Sequence, residues 1–365
     1  MSGIESRKSQ HVELAMSAGS ESSRSALWED VVLPPVAIPE MALSDIDVST
    51  EFLGRRMPTP LLISGMTGGF DEALEINRNL AAAAEELGLA IGTGSQRAAL
   101  ANPALEATYS VVRDHAPGAY VIGNIGMSQL VAQGSEAPFD ETQIERAVEM
   151  IGADALAVHL NAVEELIQTE GDRDMAGLHD AIATCVGWSP VPVVAKETGA
   201  GMTSETATRL AATGVAAIDV GGVGGTSFAL IEAARANNAG DSRGTRLGAT
   251  FGDWGVPTAA AVIEAGSAGL PVIATGGLRN GLHIAKAIAL GATLAGIGGP
   301  IIRAARQGHA AVITEVEHLL EELKVAMMLT GARTIEALAQ TRPVLIGRAA
   351  EWVNARDQRN SSPGA

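Results

Sequence analysis

The stretch that decides the fold is PVIATGGLRNGLHIAKAIALGATLAGIGGP, residues 271–300. Its first apolar run, 272–275, has the length of a buried strand and ends at paired glycines. A helical segment capped by Asn280 follows, then a second apolar run, 293–297, and a second glycine pair. Such pairs serve in tight turns, but their bare N–H groups also suit a phosphate. Two of them, one strand–helix unit apart, predict the phosphate site that follows strands 7 and 8 of a (β/α)8 barrel.

The rest of the chain repeats this strand–helix pattern. Segments with helical periodicity, such as Asp71–Leu87 and Glu141–Ile151, separate eight apolar runs rich in β-branched residues. We predict strands at Pro60–Ser64, Leu89–Thr93, Ala119–Asn124, Ala153–His159, Val191–Lys196, Ala216–Val220, Pro271–Thr275 and Thr293–Ile297. Alternating strands and helices give parallel strands with right-handed crossovers. Eight of them favour a closed α/β architecture, the (β/α)8 TIM barrel, over an open doubly wound sheet.

The segments outside the barrel complete the predicted organisation. Residues 1–30 are predicted to be a flexible N-terminal segment that contributes to the binding site. Residues 31–355 are predicted to form one barrel domain, with a proline-rich lead-in and a helical cover in the long helical region 304–329. Residues 356–365 are predicted to be a disordered tail.

The composition restricts the class of ligand and the compartment. The net charge of −17 disfavours nucleic acid, so any anionic ligand must be held by a local cluster of positive charge or by a metal. The single cysteine, Cys185, excludes an intrachain disulfide and fits a reducing cytoplasm. There is no apolar run of about 18 residues and no signal-peptide core, so we predict a cytoplasmic protein without a membrane span.

Seven of the eight predicted strands end in polar groups, although the strands themselves are apolar. In a barrel of this type the chemistry lies where strands end and loops begin. The glycine-rich ends of strands 6, 7 and 8 can surround a phosphate and an extended ring system. Side chains after the first three strands can hydrogen-bond the polar edge of a flavin, namely Thr67, Ser95 and Asn124.

Lys196 ends the fifth predicted strand. A lysine there can lie beside the N1–C2 edge of a flavin and stabilise its anionic reduced form. The alternative is a structural ion pair with Glu197 or Asp219, because a buried ammonium is costly unless it is paired or used.

A second group of side chains can bind a diphosphate through charge-assisted hydrogen bonds. It comprises Arg97, His159 and Asn161, with Arg7, Lys8 and His11 from the N-terminus. Glu165 can hold Mg²⁺ that bridges to phosphate oxygens. The alternatives are a solvated helix carboxylate for Glu165, a core histidine for His159, and charges for solubility at the N-terminus.

Ordered motifs now identify a resemblance that runs from about residue 7 to about residue 352. They include RKSQH (7–11), MTGG (66–69), GSQR (94–97), HLN (159–161), EGDR (170–173), GGTS (224–227), DWGVPT (253–258) and GGLRNG (276–281). In these motifs the chain resembles the type 2, FMN-dependent isopentenyl-diphosphate isomerases. The resemblance implies a (β/α)8 barrel, a homo-oligomer, FMN reduced by NAD(P)H, and Mg²⁺. It implies interconversion of isopentenyl and dimethylallyl diphosphate, a prenyl diphosphate substrate, with no net redox change.

The resemblance also implies roles for individual residues. FMN-contacting positions are Met66, Thr67, Gly68, Ser95, Asn124, Lys196, Thr226, Gly276, Gly277, Arg279, Gly298 and Gly299. Substrate-contacting positions are Arg7, Lys8, His11, Arg97, His159 and Asn161, and the metal position is Glu165. Glu164 and Lys196 are the expected catalytic positions.

The main departure from the family pattern is Glu164, because the pattern His-Leu-Asn-x-x-Gln-Glu has glutamine there. A carboxyl group at this position can act as an acid or base, add a charge to the metal site, or be a tolerated near-isosteric change. Phe228 and Gly298 replace the tryptophan and alanine of the family pattern.

Four hypotheses follow for the function. The first is the isomerase. The second, its alternative, is a flavin-dependent, non-redox cyclase or isomerase that acts on a longer prenyl substrate with Glu164 as acid or base. The third is a flavin oxidoreductase on the same barrel. The fourth is a binding protein without turnover, against which the polar strand ends argue.

Overall fold

The computed structural model describes residues 3–15 and 18–361, and the side chains of 7–15 and 19–357. Eight parallel strands close into a barrel in chain order, with the last strand paired to the first. The strands are β1 Leu61–Ile63, β2 Ala90–Gly92, β3 Tyr120–Gly126, β4 Ala155–Leu160, β5 Val193–Glu197, β6 Ala217–Asp219, β7 Val272–Thr275 and β8 Leu294–Ile297. All eight predicted strands, and the closed barrel, are therefore confirmed.

Helices surround this barrel and connect its strands. They are α1 Gly3–Ala15, α2 Asp71–Leu87, α3 Arg97–Ala101, α4 Ala107–His115, α5 Glu141–Ile151, α6 Ala162–Ile167, α7 Leu178–Trp188, α8 Ser204–Ala211, α9 Phe228–Asn238, α10 Ser242–Phe251, α11 Thr258–Gly266, α12 Gly281–Ala289, α13 Gly299–Ala305, α14 His309–Thr330, α15 Ile335–Ala339 and α16 Gly347–Ser361. Asn280 caps α12 as predicted, because its side chain accepts a hydrogen bond from the His283 N–H. No helix within the described residues is both long and apolar enough to cross a bilayer.

The predicted helical region 304–329 is divided in the structure. α13 ends at Ala305 and α14 begins at His309, and Gly308 between them has a φ of +121°. This conformation is open to glycine and rare for other residues, so the chain turns there. The two helices form the predicted C-terminal cover.

A short antiparallel hairpin closes the end of the barrel where the strands begin. Its strands, Thr50–Phe52 and Arg55–Met57, pack Phe52 against Tyr120, the first residue of β3. Phe52 and Met57 belong to one buried cluster with residues of all eight barrel strands, such as Leu62. The opposite end, where the strands finish, is therefore the open one.

Segments near both ends of the described chain pack onto the barrel. The strand Val31–Val32 of the lead-in pairs with Val344–Leu345, which precedes α16. α16 includes residues 356–361 of the predicted tail, and Arg356 Nε donates to Glu264 Oε1 at 2.9 Å. Residues 362–365 of that tail lie outside the described part of the chain. Within the predicted flexible segment 1–30 the structure has a helix, α1; its flexibility stays a prediction.

Candidate active site

A cavity of about 220 Å³ opens at the end of the barrel where the strands finish. Most of the predicted site residues line it. They are Arg7, Lys8, His11, Met66, Ser95, Arg97, Asn124, His159, Asn161, Glu164, Glu165, Lys196, Thr226, Gly276, Gly277, Arg279, Gly298 and Gly299. The fold thus brings the predicted cofactor, substrate and metal positions to one cavity.

Two predicted cofactor positions, Thr67 and Gly68, are not among the lining residues. The Thr67 hydroxyl is buried and bonds to Asn77 of α2, and its carbonyl oxygen accepts from Gly94 N at 2.8 Å. A Cβ on Gly68 would lie 2.2 Å from the ring of Tyr109. Both residues therefore support the cavity wall from behind, and the expectation that the Thr67 hydroxyl faces the cavity is not met.

The loops after β6 and β7 touch each other through their backbones. Gly276 and Gly277 have φ values of +107° and +69°. A Cβ added to them would lie 2.1 Å from Gly222 O and 2.5 Å from Gly224 O, respectively. Only glycine fits such a contact, so these glycines do more than turn the chain. Together with Gly298 and Gly299 after β8, they form a surface of the cavity without side chains.

This surface suits the phosphate tail of a flavin nucleotide. Backbone N–H groups that no side chain covers can donate to phosphate oxygens. Next to it, Ser64 Oγ is buried and has no hydrogen-bond partner among the described residues, although Ser64 lines the cavity. An unpaired buried hydroxyl is costly, and a bound ligand would satisfy it. The residues present therefore fit the FMN that the resemblance implies.

Strand register places three charged or titratable side chains side by side. His159 of β4 lies level with Lys196 of β5, which lies level with Asp219 of β6. The Lys196 Nζ lies 3.0 Å from Asp219 Oδ2, and the Asp219 carboxylate is buried. The ion pair considered as the alternative for Lys196 is therefore present. The ammonium group also lines the cavity, so the pair holds it in place there.

His159 is held by an amide. Asn124 donates from Nδ2 to Thr93 O at 3.0 Å, so its Oδ1 faces His159 Nδ1 at 2.8 Å as an acceptor. His159 consequently carries its proton on Nδ1. Burial, together with the charges of Lys196 and Lys8, lowers the pKa of His159 to about 3. The ring is neutral at pH 7 in the ligand-free protein.

The depressed pKa of His159 predicts a measurable acid sensitivity. The unfolded chain binds this proton below its ordinary pKa of 6.5, whereas the folded chain does so only near 3, so folding weakens as the pH falls through this window. At pH 5 the full shift would cost about 2 kcal/mol, and because the ring lines an open cavity we expect about 1 kcal/mol. His159→Gln keeps a donor for Asn124 and removes the titration.

Urea unfolding at pH 7 and pH 5 measures this effect. The wild type should lose about 1 kcal/mol more than His159→Gln between the two pH values. His179→Gln, at an exposed histidine, is the matched control and should lose as much as the wild type. Equal losses in the wild type and His159→Gln would contradict a neutral His159.

The predicted substrate cations are paired with protein groups. Lys8 Nζ donates to Tyr109 OH at 2.5 Å and to the carbonyl of Ser95, and burial lowers the pKa of Lys8 to about 7. Arg97 bonds to Asp172 at 3.0 Å and to Glu136 at 3.2 Å. A diphosphate would take some of these donors from their present partners.

Asn161 joins the two glutamates at the start of α6. Its Nδ2 donates to Glu164 Oε2 at 3.1 Å and to Glu165 Oε1 at 3.0 Å, and its buried Oδ1 has no partner among the described residues. Burial raises the pKa of both carboxyl groups, that of Glu164 to about 8 with the neighbouring charges of Glu232 and Glu165. Glu165 Oε2 accepts from Asp172 N at 2.8 Å.

Glu165 fits the Mg²⁺ that the resemblance implies. It offers one carboxylate at the cavity wall, and its two observed hydrogen bonds leave further oxygen lone pairs. Mg²⁺ sites beside phosphates use one or two protein carboxylates, several waters and the phosphate oxygens.

Glu232 is a buried residue of the site that the sequence did not indicate. It lies within α9, contacts His11 Nε2 and accepts a hydrogen bond from Arg235 Nη1 at 2.6 Å. Its local sequence looks like that of an exposed glutamate on a helix. The helix that contacts it, α1, lies over 200 residues earlier, so no local pattern indicates its burial.

Glu197, which the sequence indicates only as a candidate ion-pair partner of Lys196, organises a loop. One of its oxygens accepts the N–H groups of Gly199, Ala200 and Gly201 at 2.7 to 2.8 Å. It therefore fixes the loop after β5, part of which lines the cavity. The glycines of that loop were the available signal.

Comparison with known proteins identifies related sequences over the whole chain. The sequence model of the FMN-dependent dehydrogenases matches residues 157–344. The isopentenyl-diphosphate delta-isomerase of Methanothermobacter thermautotrophicus is 46% identical over 354 residues, which cover 97% of each chain. That of Halobacterium salinarum is 44% identical over 360 residues, 98% of this chain and 97% of its own.

Solved structures show the same fold at low sequence identity. A lactate oxidase from Pediococcus acidilactici superimposes with a TM-score of 0.62 at 18% identity, covering 95% of each chain. A mandelate oxidase variant with benzaldehyde gives 0.60 at 20% identity, covering 94% of this chain and 97% of its own. These oxidases support the architecture, the (β/α)8 barrel, and nothing finer.

Proposed function

Because the chain belongs to the type 2, FMN-dependent isopentenyl-diphosphate delta-isomerase family, we propose that it converts isopentenyl diphosphate to dimethylallyl diphosphate without net redox change. The observation that carries the proposal is one cavity with two kinds of binding surface. Bare glycine backbone forms one part, and cationic and amide side chains beside paired glutamates form another.

FMN would be held by the glycines after β6, β7 and β8, with Ser64, Ser95 and Lys196 beside it. When bound and reduced by NAD(P)H, FMN supplies an electron-rich face for a carbocation and a site that can exchange a proton. Lys196, held by Asp219, would supply a positive charge to stabilise an anionic reduced flavin.

The substrate diphosphate would be bound by Arg7, Lys8, His11, Arg97, His159 and Asn161, all of which line the cavity. Glu165 would hold Mg²⁺, which neutralises phosphate charge and orients the oxygens. This clamp fixes the alkene relative to the reacting centre, which lowers the entropic cost of reaction. Apolar side chains in the lining, Met66, Leu278 and Phe228, limit the access of water to a cation.

Glu164 is the proposed proton-holding group of the protein itself. Its Oε2 accepts from Asn161, and its Oε1 faces His11 Nδ1 at 3.9 Å. It occupies the position at which the family pattern has glutamine, next to the predicted metal ligand. Its carboxyl group can give or take a proton at Oε1, which a glutamine amide cannot do.

The test is a product analysis with the flavin-loaded protein, reduced with NADPH or dithionite under anaerobic conditions and supplied with Mg²⁺. Isopentenyl diphosphate and longer prenyl diphosphates are offered side by side. We expect dimethylallyl diphosphate from the first, without stoichiometric consumption of NADPH. Cyclic products from longer chains, with no C5 turnover, would favour the alternative substrate. Substrate-dependent bleaching of oxidised flavin would indicate an oxidoreductase. No product from any substrate would overturn the proposal.

From the same resemblance we propose a homo-oligomer in the cytoplasm. Light scattering of the flavin-loaded protein at micromolar concentration measures the assembly, and a monomer would contradict that part of the proposal.

A further inference from the structure

Three metal-ligating side chains meet where α1 crosses α6 and α9. His11, Glu164 and Glu232 each offer one ligand atom, and these atoms lie within 4.8 Å of one another. His11 Nε2 lies 2.5 Å from Glu232 Oε1, and His11 Nδ1 lies 3.9 Å from Glu164 Oε1. The three side chains are 15%, 12% and 1% exposed, respectively. Glu165 is not part of this group.

The charges around this group leave room for a cation. Among the described residues, no lysine or arginine nitrogen lies within 4.0 Å of the Glu164 carboxylate. Arg235 pairs with Glu232 Oε2 and with Glu170, and Arg7 is nearest to Glu170, at 3.9 Å. Glu232 Oε1 and Glu164 Oε1 therefore face the imidazole of His11 rather than a fixed positive charge. Glu232 has a fixed charge on its other oxygen, from Arg235, but Glu164 has none within that distance, and a buried carboxylate without such a charge is costly unless it binds a proton or a metal.

We propose that His11, Glu164 and Glu232 bind a divalent transition-metal ion of the Zn²⁺ type, at a site separate from the Mg²⁺ position at Glu165. One imidazole nitrogen and two carboxylate oxygens are ligands that Zn²⁺ accepts, and the imidazole disfavours Mg²⁺. With metal–ligand bonds of about 2.1 Å, tetrahedral ligand atoms lie about 3.4 Å apart. The two observed distances run to different nitrogens of the His11 ring, Nε2 toward Glu232 and Nδ1 toward Glu164. A turn of the ring or of one carboxylate must therefore bring the three ligand atoms, which lie within 4.8 Å of one another, to one ion. The fourth position opens to the cavity, which His11 and Glu164 line.

The site is a consequence of the residue at position 164. The family pattern has glutamine there, and a neutral amide oxygen is a much weaker zinc ligand than a carboxylate. The bound ion would connect α1 to α6 and α9, and would hold the N-terminal helix with Arg7 and Lys8 over the cavity. The inference goes beyond the proposed reaction, and its test does not depend on that reaction. Glu164 Oε1 cannot bind the ion and hold a proton at the same time, so the ion-bound state and the proton-holding state of Glu164 exclude each other.

Zinc binding to tag-free, flavin-loaded protein tests the proposal. The protein is stripped with a chelator, dialysed, and titrated with Zn²⁺ in a calorimeter in the presence of millimolar Mg²⁺, which competes for the proposed Mg²⁺ position at Glu165. We expect one zinc ion per chain in the wild type. Glu164→Gln, which restores the family residue, should weaken zinc binding at least about tenfold.

Glu165→Gln is the matched control, since it makes the same change at the adjacent residue. It should bind zinc as the wild type does. The metal-free thermal midpoint verifies that each variant is folded, and zinc should raise that midpoint in the wild type and in Glu165→Gln but not in Glu164→Gln. The proposal is overturned if the wild type binds no zinc, if Glu164→Gln binds it equally well, or if Glu165→Gln alone loses it. None of these readouts involves isomerase activity.

Discussion

Lys196→Met should lower the free energy of unfolding by about 3 kcal/mol, because it leaves the Asp219 carboxylate buried without its cation. The methionine retains most of the apolar stem, so little packing is lost. Among the described residues, Asp219 would keep its bonds to Thr275 Oγ1 and the Gly221 N–H alone. Urea unfolding of the flavin-free protein at pH 7, followed by tryptophan fluorescence, measures the loss.

A double variant distinguishes the effect of the unpaired Asp219 charge from the effect of losing the lysine side chain itself. Lys196→Met combined with Asp219→Asn removes both charges and should regain most of the lost stability, because replacing both partners avoids an isolated buried charge. It should not regain isomerase turnover, since the positive charge at the proposed flavin position is still missing. A double variant as unstable as Lys196→Met would contradict the pairing argument.

Glu165→Gln is expected to reduce isomerase turnover by at least about 100-fold, equivalent to about 2.7 kcal/mol of transition-state stabilisation. The amide keeps an oxygen that can accept from Asn161 or Asp172, so the local fold should survive. What it removes is the anionic ligand of the proposed Mg²⁺, whose clamp on the phosphates is worth several kcal/mol. Turnover measured against Mg²⁺ concentration checks the result.

Glu164→Gln provides the comparison at the neighbouring position. It should keep the Mg²⁺ dependence of the wild type, whereas Glu165→Gln should need at least about ten times more Mg²⁺. If the two variants show the reverse pattern, the Mg²⁺ ligand is Glu164 and the assignment of the metal position is wrong.

Much of the barrel follows from local sequence because its signals are local. Buried parallel strands are short apolar runs, and β7 and β8 were predictable from residues 271–300 alone. α2 and α5 begin and end where periodicity and glycine place them. The break at Gly308 was missed, because a single glycine within a helical pattern is compatible with a continuous helix.

The cavity wall was predictable where it consists of strand ends, since all parallel strands finish at one face. That reasoning places His159, Lys196 and Asn124 correctly at the cavity. It does not fix side-chain direction in the loops, as Thr67 shows: its hydroxyl turns to Asn77 behind the wall.

Contacts between distant elements carry no local signal. Glu232 sits in α9 as an ordinary acidic residue, and only the packing of α1 reveals it as a partner of His11. The pairing of Lys8 with Tyr109 likewise joins residues 101 positions apart. Such pairs are decided by the closed fold and not by any stretch of sequence that can be read alone.

The position of α1 has a consequence for biosynthesis. Its residues leave the ribosome before their partners do: Lys8 needs Ser95 and Tyr109, and His11 needs Glu232, which is translated 221 residues later. The nascent helix must therefore wait until most of the polypeptide has emerged before it can dock. This helix is therefore synthesised well before it can acquire its working position.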